Sequence, residues 1–127
     1  MDKTERKVPF DDHPDQMFVY NSILLTTTGR RSKHHSSKPV LFVEQGDVTY
    51  VLPIAGTSTG WYKNILKNDR VTVTTGTGTV FYATARPITD NADVVRIVQL
   101  FDEKYGKDRI ASHHVNLNAA VELKKTS

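Results

Sequence analysis

The stretch that decides the fold is Ile-Leu-Leu-Thr-Thr-Thr-Gly-Arg-Arg-Ser, residues 23–32. Its first six residues are aliphatic or β-branched, and residues of these kinds favour an extended strand. Gly29 then permits a tight turn, and two arginines and a serine follow it. The stretch therefore predicts a strand that begins near Met17, ends at Gly29 and leads into a basic loop.

Hairpins continue on the C-terminal side of this stretch. Pro39 is expected to open the second strand, since proline is tolerated at the first position of a strand. The turn residues Gln45-Gly46-Asp47 and Gly76-Thr77-Gly78 each separate two runs that are rich in β-formers. The predicted elements are strands over 40–44, 48–54, 71–75, 79–86 and 119–123, with helices over 61–67 and 91–105.

The longer helix carries a single apolar stripe. Val94, Val98, Phe101 and Tyr105 recur at helical spacing, and Gly106 follows as the residue after the helix end. Strands joined as hairpins, with few helices, predict a mainly β protein. We expect a small barrel with helices packed on its outside.

Composition limits the protein to one ordinary domain. The chain has 127 residues, which predicts a single domain whose first sixteen residues form an N-terminal arm. It has no cysteine, which excludes disulfides, thiolate metal sites and a cysteine nucleophile and fits a reducing compartment. No secretory signal and no membrane-spanning apolar run is recognisable, so we expect a cytoplasmic protein.

Positive charge is concentrated in one segment. Residues 30–38 contain Arg30, Arg31, Lys33, Lys38, two histidines and no acid, in a chain whose formal net charge is only +3. Guanidiniums and free backbone N–H groups are the donors that a phosphate requires. A solvated loop that only keeps the protein soluble is the simpler explanation, and the residues alone leave both open.

Two aromatic positions also allow two interpretations each. Trp61 and Tyr62 follow a loop of small residues and could form a wall beside a flat ligand, or could pack in the core. Tyr105 could complete the apolar stripe of its helix, or could donate a proton to a bound ligand.

Other classes of function have less support. Neighbouring histidines on a strand point to opposite faces and chelate a metal poorly, so no metal site is expected at His34-His35 or His113-His114. The basic segment contains no aromatic residue, which argues against a β-barrel that binds nucleic acid.

Two motifs together resemble a known family. Residues 23–32 are followed, after one strand pair, by Gly-Trp-Tyr-Lys-Asn-Ile-Leu-Lys-Asn at 60–68 and Val-Thr-Val at 71–73. This order and spacing is similar to the deazaflavin-dependent nitroreductase family, which belongs to the FMN-binding split β-barrel group related to pyridoxamine phosphate oxidases. The matching core runs from about Ile23 to Arg86, roughly half of the chain.

The resemblance implies a homodimeric split β-barrel that binds coenzyme F-420 in a groove near the subunit interface. The enzyme would transfer a hydride between this deazaflavin and an electron-poor acceptor such as a quinone or a nitroaromatic, with a proton from solvent or from Tyr105. Arg30, Arg31 and Ser32 would hold the phosphate, with Lys38 as a further basic residue. The remaining cofactor-binding residues expected are Thr28, Leu52, Pro53, Ile54, Ala55, Gly56, Trp61, Tyr62 and Asn64.

The sequence departs from the family pattern in two places. Ser36 stands about where a second basic residue is usual, and the loop before Trp61 is short and lacks a lysine that is common there. Both departures favour compact FMN over the long anionic tail of F-420. An FMN-dependent reductase or oxidase, or a flavin-binding protein without catalysis, therefore remains the alternative.

Overall fold

The fold is a closed barrel of six antiparallel strands in the computed structural model, which describes residues 22–126. The strands are β1 (Ser22–Thr28), β2 (His35–Gln45), β3 (Val48–Val51), β4 (Arg70–Thr74), β5 (Val80–Ile88) and β6 (Ala120–Lys125). The helices are α1 (Gly60–Lys67), α2 (Asn91–Tyr105) and α3 (Lys107–His113), and a 3-10 turn at Gly56–Ser58 precedes α1. The predicted mainly β barrel with a few helices is confirmed. The arm and the start of the first strand at Met17 lie outside the described residues.

The strand order around the barrel is β1–β2–β3–β6–β5–β4, and β4 pairs back onto β1. Side chains alternate between the inside and the outside, as the pleat of a strand requires. In β1, Ile23, Leu25 and Thr27 are buried, whereas the intervening Leu24 is exposed. The barrel therefore has an apolar interior built from alternate residues of every strand.

Helix α1 packs against this interior. Trp61, Tyr62 and Ile65 share one cluster of buried side chains with inward-facing residues of β1 and β4, including Leu25 and Val73. The helices flank the barrel as expected, and α1 in addition buries one face against the barrel interior. These three apolar residues and the buried Asn64 lie on one side of the helix, and the apolar ones pack against inward-facing strand residues.

Helices α2 and α3 cover part of the outside. Ile97, Phe101 and Ile110 pack with outward-facing Leu41 and Val43 of β2 in a second cluster. The predicted stripe on α2 is confirmed, with Val94 and Phe101 buried and with Val98 and Tyr105 half-buried. Helix α3 was not predicted, because its seven residues contain only one fully buried apolar side chain, Ile110.

Two predicted strand boundaries are wrong. Strand β2 begins at His35, and Pro39 lies inside it opposite Leu24 instead of opening it. Proline is tolerated there because β3 pairs only with the part of β2 from Phe42 onwards, so this stretch of β2 has one neighbour. The following strand ends at Val51, since Pro53 cannot donate to a ladder.

The outside of β1, β4 and β5 presents a second surface. Across the strands, Leu24 pairs with Thr74 and Thr74 with Val80, and Thr26 pairs with Thr72 and Thr72 with Tyr82. We call these six residues the threonine face. Leu24, Val80 and Tyr82 on it are 39%, 56% and 62% exposed. The face thus leaves three large apolar side chains in contact with solvent.

No helix within residues 22–126 is long and apolar enough to cross a membrane.

Candidate functional site

The basic loop, residues 29–34, is a compact connection between β1 and β2. The amide of Gly29 donates to the carbonyl of His34 at 2.7 Å, and the amide of Lys33 donates to the carbonyl of Gly29 at 3.1 Å. The Oγ of Ser32 accepts from the amide of His34 at 3.2 Å. A Cβ on Gly29 would lie 2.8 Å from that Oγ and 3.2 Å from the carbonyl oxygen of His34, so a larger residue would make the loop shift. Residues 35–38, which were predicted to belong to the loop, are the start of β2.

Arg30 ties this loop to helix α1. Its Nη1 donates to Oδ1 of Asn64 at 2.9 Å, and its backbone amide donates to the same oxygen at 3.3 Å. The Nδ2 of Asn64 donates to Oγ1 of Thr27 at 3.1 Å, next to the end of β1. Asn64 is buried, so the loop, the strand and the helix meet at one side-chain amide.

The loop 52–59 leads directly into the first turn of α1. Nη1 of Arg30 also approaches the carbonyl oxygen of Gly60, the first residue of α1, at 3.4 Å. Thr59 is the N-cap residue, but its Oγ1 accepts from the amide of Ala55 at 2.8 Å and makes no cap hydrogen bond. The basic loop and the loop 52–59 therefore converge at the first turn of α1, where the helix dipole favours negative charge.

Residues 115–118, which sequence reasoning missed, hold the loop 52–59 from the other side. The carbonyl of Ile54 accepts from the amides of Val115 at 2.8 Å and Asn116 at 3.3 Å. The Oδ1 of Asn118 accepts from the amide of Thr57 at 3.0 Å. Ile54 is 46% exposed and Val115 is 82% exposed, so two large apolar side chains face solvent beside this loop. No local periodicity marks the segment, because its partners lie about sixty residues away.

The structure places the other predicted cofactor-binding residues at different depths. Arg31 and Ser32 are exposed, Thr28 and Ala55 are half-buried, and Leu52, Pro53 and Gly56 are buried. Thr28 points to the opposite sheet face from Thr27, since neighbouring residues of a strand alternate. It therefore does not point towards Asn64.

Trp61 and Tyr62 lie in the barrel core. They are 7% and 3% exposed, and burial raises the pKa of the Tyr62 hydroxyl above its ordinary value. This placement favours core packing over an aromatic wall. Both side chains hold the first turn of α1 against the barrel through their packing in the core.

Tyr105 is not brought together with the basic loop. Its hydroxyl donates to the carbonyl of Phe42 at 2.6 Å and accepts from the amide of Phe42 at 3.1 Å. Burial raises the pKa of Tyr105 to about 12, although the backbone hydrogen bond opposes this shift. Lys104 donates to the same carbonyl at 2.8 Å, and burial lowers its pKa. The two side chains fasten α2 to β2.

The histidines form no metal site within the residues that the structure describes. No group of three or more histidine, aspartate or glutamate side chains there could hold a metal ion. His34 lies in the basic loop and His35 in β2, and the buried His114 places Nδ1 2.9 Å from the carbonyl oxygen of Ile110.

Comparison with known proteins identifies the family. The family model described as F420H(2)-dependent quinone reductase matches residues 12–122. The chain belongs to this family. The resemblance seen in the sequence is thereby confirmed, and the protein is an oxidoreductase whose cofactor is coenzyme F-420. A comparison with curated proteins gave no match.

Solved structures confirm the fold of this F-420-dependent oxidoreductase. An F420-H2 dependent reductase is 22% identical, with a TM-score of 0.61 over 82% of this chain and 94% of its own. A putative pyridoxamine 5'-phosphate oxidase from Listeria innocua is 12% identical, with a TM-score of 0.63 over 94% of this chain and 95% of its own. A protein described as a domain-swapped dimer is 23% identical, with a TM-score of 0.63 over 82% of this chain and 80% of its own.

The loop 52–59 of this F-420-dependent oxidoreductase requires glycine at position 56. Gly56 has a φ of +56°, and a Cβ on it would overlap Oδ1 of Asn118. We expect Gly56→Ala to lower the free energy of unfolding by about 2 kcal/mol or more, through strain and the lost Asn118 contact. Gly46→Ala is the control, because its φ is +65° but nothing lies within 4 Å of the added Cβ. Equal losses for both variants in urea unfolding would contradict this assignment.

The Tyr105 contact should be visible in the pH dependence of stability. A tyrosine whose folded pKa is raised to about 12 stabilises the fold fully below its unfolded pKa, and this stabilisation is lost as the pH rises through the folded value. We expect Tyr105→Phe to lower stability at neutral pH by about 1–2 kcal/mol and to reduce the loss of stability between roughly pH 10 and 12. Urea unfolding at several pH values measures both. Parallel pH curves for the variant and the wild type would contradict the prediction.

Proposed function

We propose that the enzyme transfers a hydride between coenzyme F-420 and an electron-poor acceptor such as a quinone or a nitroaromatic, with the cofactor phosphate held by the basic loop. The observation that carries this site is the 2.9 Å contact between Nη1 of Arg30 and Oδ1 of Asn64. This contact fixes the basic loop against α1, the helix that directly follows the loop 52–59.

The donor chemistry of the loop fits a phosphate. Arg30, Arg31 and Ser32 supply planar guanidinium donors and a hydroxyl at an exposed surface. The first turn of α1 lies beside them without a side-chain cap from Thr59, so its partial positive charge adds to theirs. Fixed donors around one point bind an anion at a lower entropic cost than mobile ones.

Lys38 is proposed as the second basic contact. In the strand register Lys38 lies opposite Leu25 and Ser36 lies opposite Thr27, so both share the sheet face of Thr27 and Asn64. Lys38 is exposed and long enough to extend along this face. It would thus replace the basic residue that is usual near Ser36 and supply charge for an anionic tail.

The loop 52–56 is proposed to line the flat ring of the cofactor. The exposed side chains of Ile54 and Val115 offer the apolar surface that such a ring requires. Leu52, Pro53, Trp61 and Tyr62 are buried, so their contribution is to support the loop and the helix end from beneath.

The bound cofactor supplies the hydride chemistry, and the protein positions it and shields it from water. Solvent and Tyr105 are the proton sources expected from the sequence, but the Tyr105 hydroxyl binds the backbone of Phe42 and its pKa is raised to about 12. These two observations favour solvent as the proton source, with Tyr105 fastening α2 to β2.

Titration of the purified protein with F-420, followed by its fluorescence, tests the proposed site. We expect tight binding of F-420, weak binding of FMN, and oxidation of reduced F-420 by a quinone or a nitroaromatic. The double variant Arg30→Ala, Arg31→Ala should bind F-420 at least about tenfold more weakly, because charge-assisted hydrogen bonds are worth roughly 1.5–3 kcal/mol each.

Lys67→Ala is the control for net charge, because Lys67 is exposed in the last turn of α1, away from the basic loop. Unchanged affinity in the double variant would remove the loop from the site. Tight FMN binding with weak F-420 binding would favour the FMN-dependent alternative, which the serine at position 36 supports. Binding of neither cofactor would contradict the proposal.

A homodimer is proposed to bury the threonine face. The six residues of this face carry no charge in a chain that is 24% charged. Its three exposed apolar side chains are typical of a surface that contacts another protein. One solved structure with a similar fold is described as a domain-swapped dimer, which also supports this proposal.

We further propose a cytoplasmic location, since the chain has no cysteine.

Charge introduced into the threonine face tests the dimer. We expect a wild-type dimer by light scattering and a monomer for Tyr82→Glu, because a buried unpaired carboxylate is costly at an interface. Val95→Glu is the matched control, since Val95 is 48% exposed on α2. A monomeric wild type in the presence of cofactor, or a variant that remains dimeric, would contradict the proposed interface.

A further inference from the structure

Asn64 occupies the point at which α1, β1 and the basic loop meet. Its side chain is 8% exposed, and Oδ1 already accepts two hydrogen bonds, from the backbone amide and from Nη1 of Arg30. A carboxamide oxygen has two lone pairs, so Oδ1 has no acceptor capacity left for a ligand. The oxygen of the buried amide is therefore fully engaged by the protein.

The orientation of this amide is determined by its neighbours. Both groups of Arg30 that face Asn64 are N–H donors, and only the carboxamide oxygen can accept from them. The hydroxyl of Thr27 can accept or donate, so it matches the remaining Nδ2 at 3.1 Å. Thr27 is 1% exposed, which leaves water little access to replace this contact.

The two arginines consequently differ. Arg30 has its backbone amide and Nη1 bound to Asn64, and Nη1 also approaches the carbonyl of Gly60. Because the guanidinium is planar and rigid, fixing one nitrogen also fixes the direction of the others. Arg31 is exposed and makes no hydrogen bond with any residue between 22 and 126. One arginine is thus oriented by the protein, and the other is available to a ligand.

We propose that Asn64 is a positioning residue for cofactor binding: its amide fixes Arg30 and so presents the basic loop to the phosphate, without touching the cofactor. This inference rests on the proposed phosphate site in the basic loop. It changes the role of Asn64 from an expected cofactor-binding residue to one that acts through Arg30. It also divides the binding of the phosphate between an oriented Arg30 and a mobile Arg31.

The alternative is that Asn64 only satisfies buried polar groups and stabilises the fold. The two roles differ in which ligand they affect. A positioning role weakens binding of F-420 but not of the same deazaflavin chromophore without its phosphate tail. A purely structural role affects both ligands alike, or neither.

The decisive variant is Asn64→Leu, which keeps a similar volume and removes all three hydrogen bonds. We expect it to bind F-420 at least tenfold more weakly and the phosphate-free chromophore within twofold of the wild type. In an Arg30→Ala background the same change should cost less than twofold, because the guanidinium that Asn64 orients is absent. Ile65→Val is the control for a small loss of core packing in the same helix and should bind both ligands normally.

Thr27→Val keeps the inference testable if Asn64→Leu does not fold. It removes only the oxygen that receives Nδ2, and a two- to fivefold loss of F-420 affinity is expected. Equal weakening of both ligands, or additive losses in the Arg30→Ala background, would overturn the positioning role. So would normal F-420 binding by Asn64→Leu or, where that variant does not fold, by Thr27→Val.

Amide hydrogen exchange without cofactor separates this inference from the proposed function. We expect the Arg30 amide to be protected in the wild type and in Ile65→Val, and to lose protection in Asn64→Leu or, more weakly, in Thr27→Val. Unprotected Arg30 in the wild type would overturn the positioning role alone. A protected Arg30 in a wild type that binds no F-420 would instead overturn the phosphate site on which the inference rests.

Discussion

The pairing of β1 with two neighbours is the constraint on which the rest of the structure depends. Leu25 lies opposite Lys38 of β2 on one side and opposite Val73 of β4 on the other. Residues 24–26 of β1 are held on both sides, and Thr27 and Thr28 continue the pairing with β2 alone. The basic loop therefore starts from a strand end that is held through β2, and Thr27 lies where Asn64 can reach it.

Rigidity at this point also explains how a small protein holds a charged loop in one arrangement. Three positive charges lie within the six residues of the loop, and they would repel one another in a mobile loop. A glycine turn, one buried amide and the first turn of α1 restrain that loop at separate places. The chain thus combines a surface that attracts anions with the order that selective binding requires.

The sequence predicts the elements better than the contacts between them. The hairpins and the stripe on α2 follow local periodicity, and the family motifs identify the cofactor. The bond between Arg30 and Asn64 joins residues 34 apart, and the contact of Thr57 with Asn118 joins residues 61 apart. No local pattern encodes such pairs. Pro39 was misplaced for a similar reason, because only the register shows that this part of β2 has a single neighbour.

The position of β6 has a consequence for folding kinetics. This strand lies between β3 and β5, whose sequence positions precede it by about seventy and forty residues. Both ladders must therefore close over long loops, which makes folding slow relative to a helical protein of similar size. Until β6 is in place, β3 and β5 each expose an unpaired edge, and such edges invite pairing between different chains.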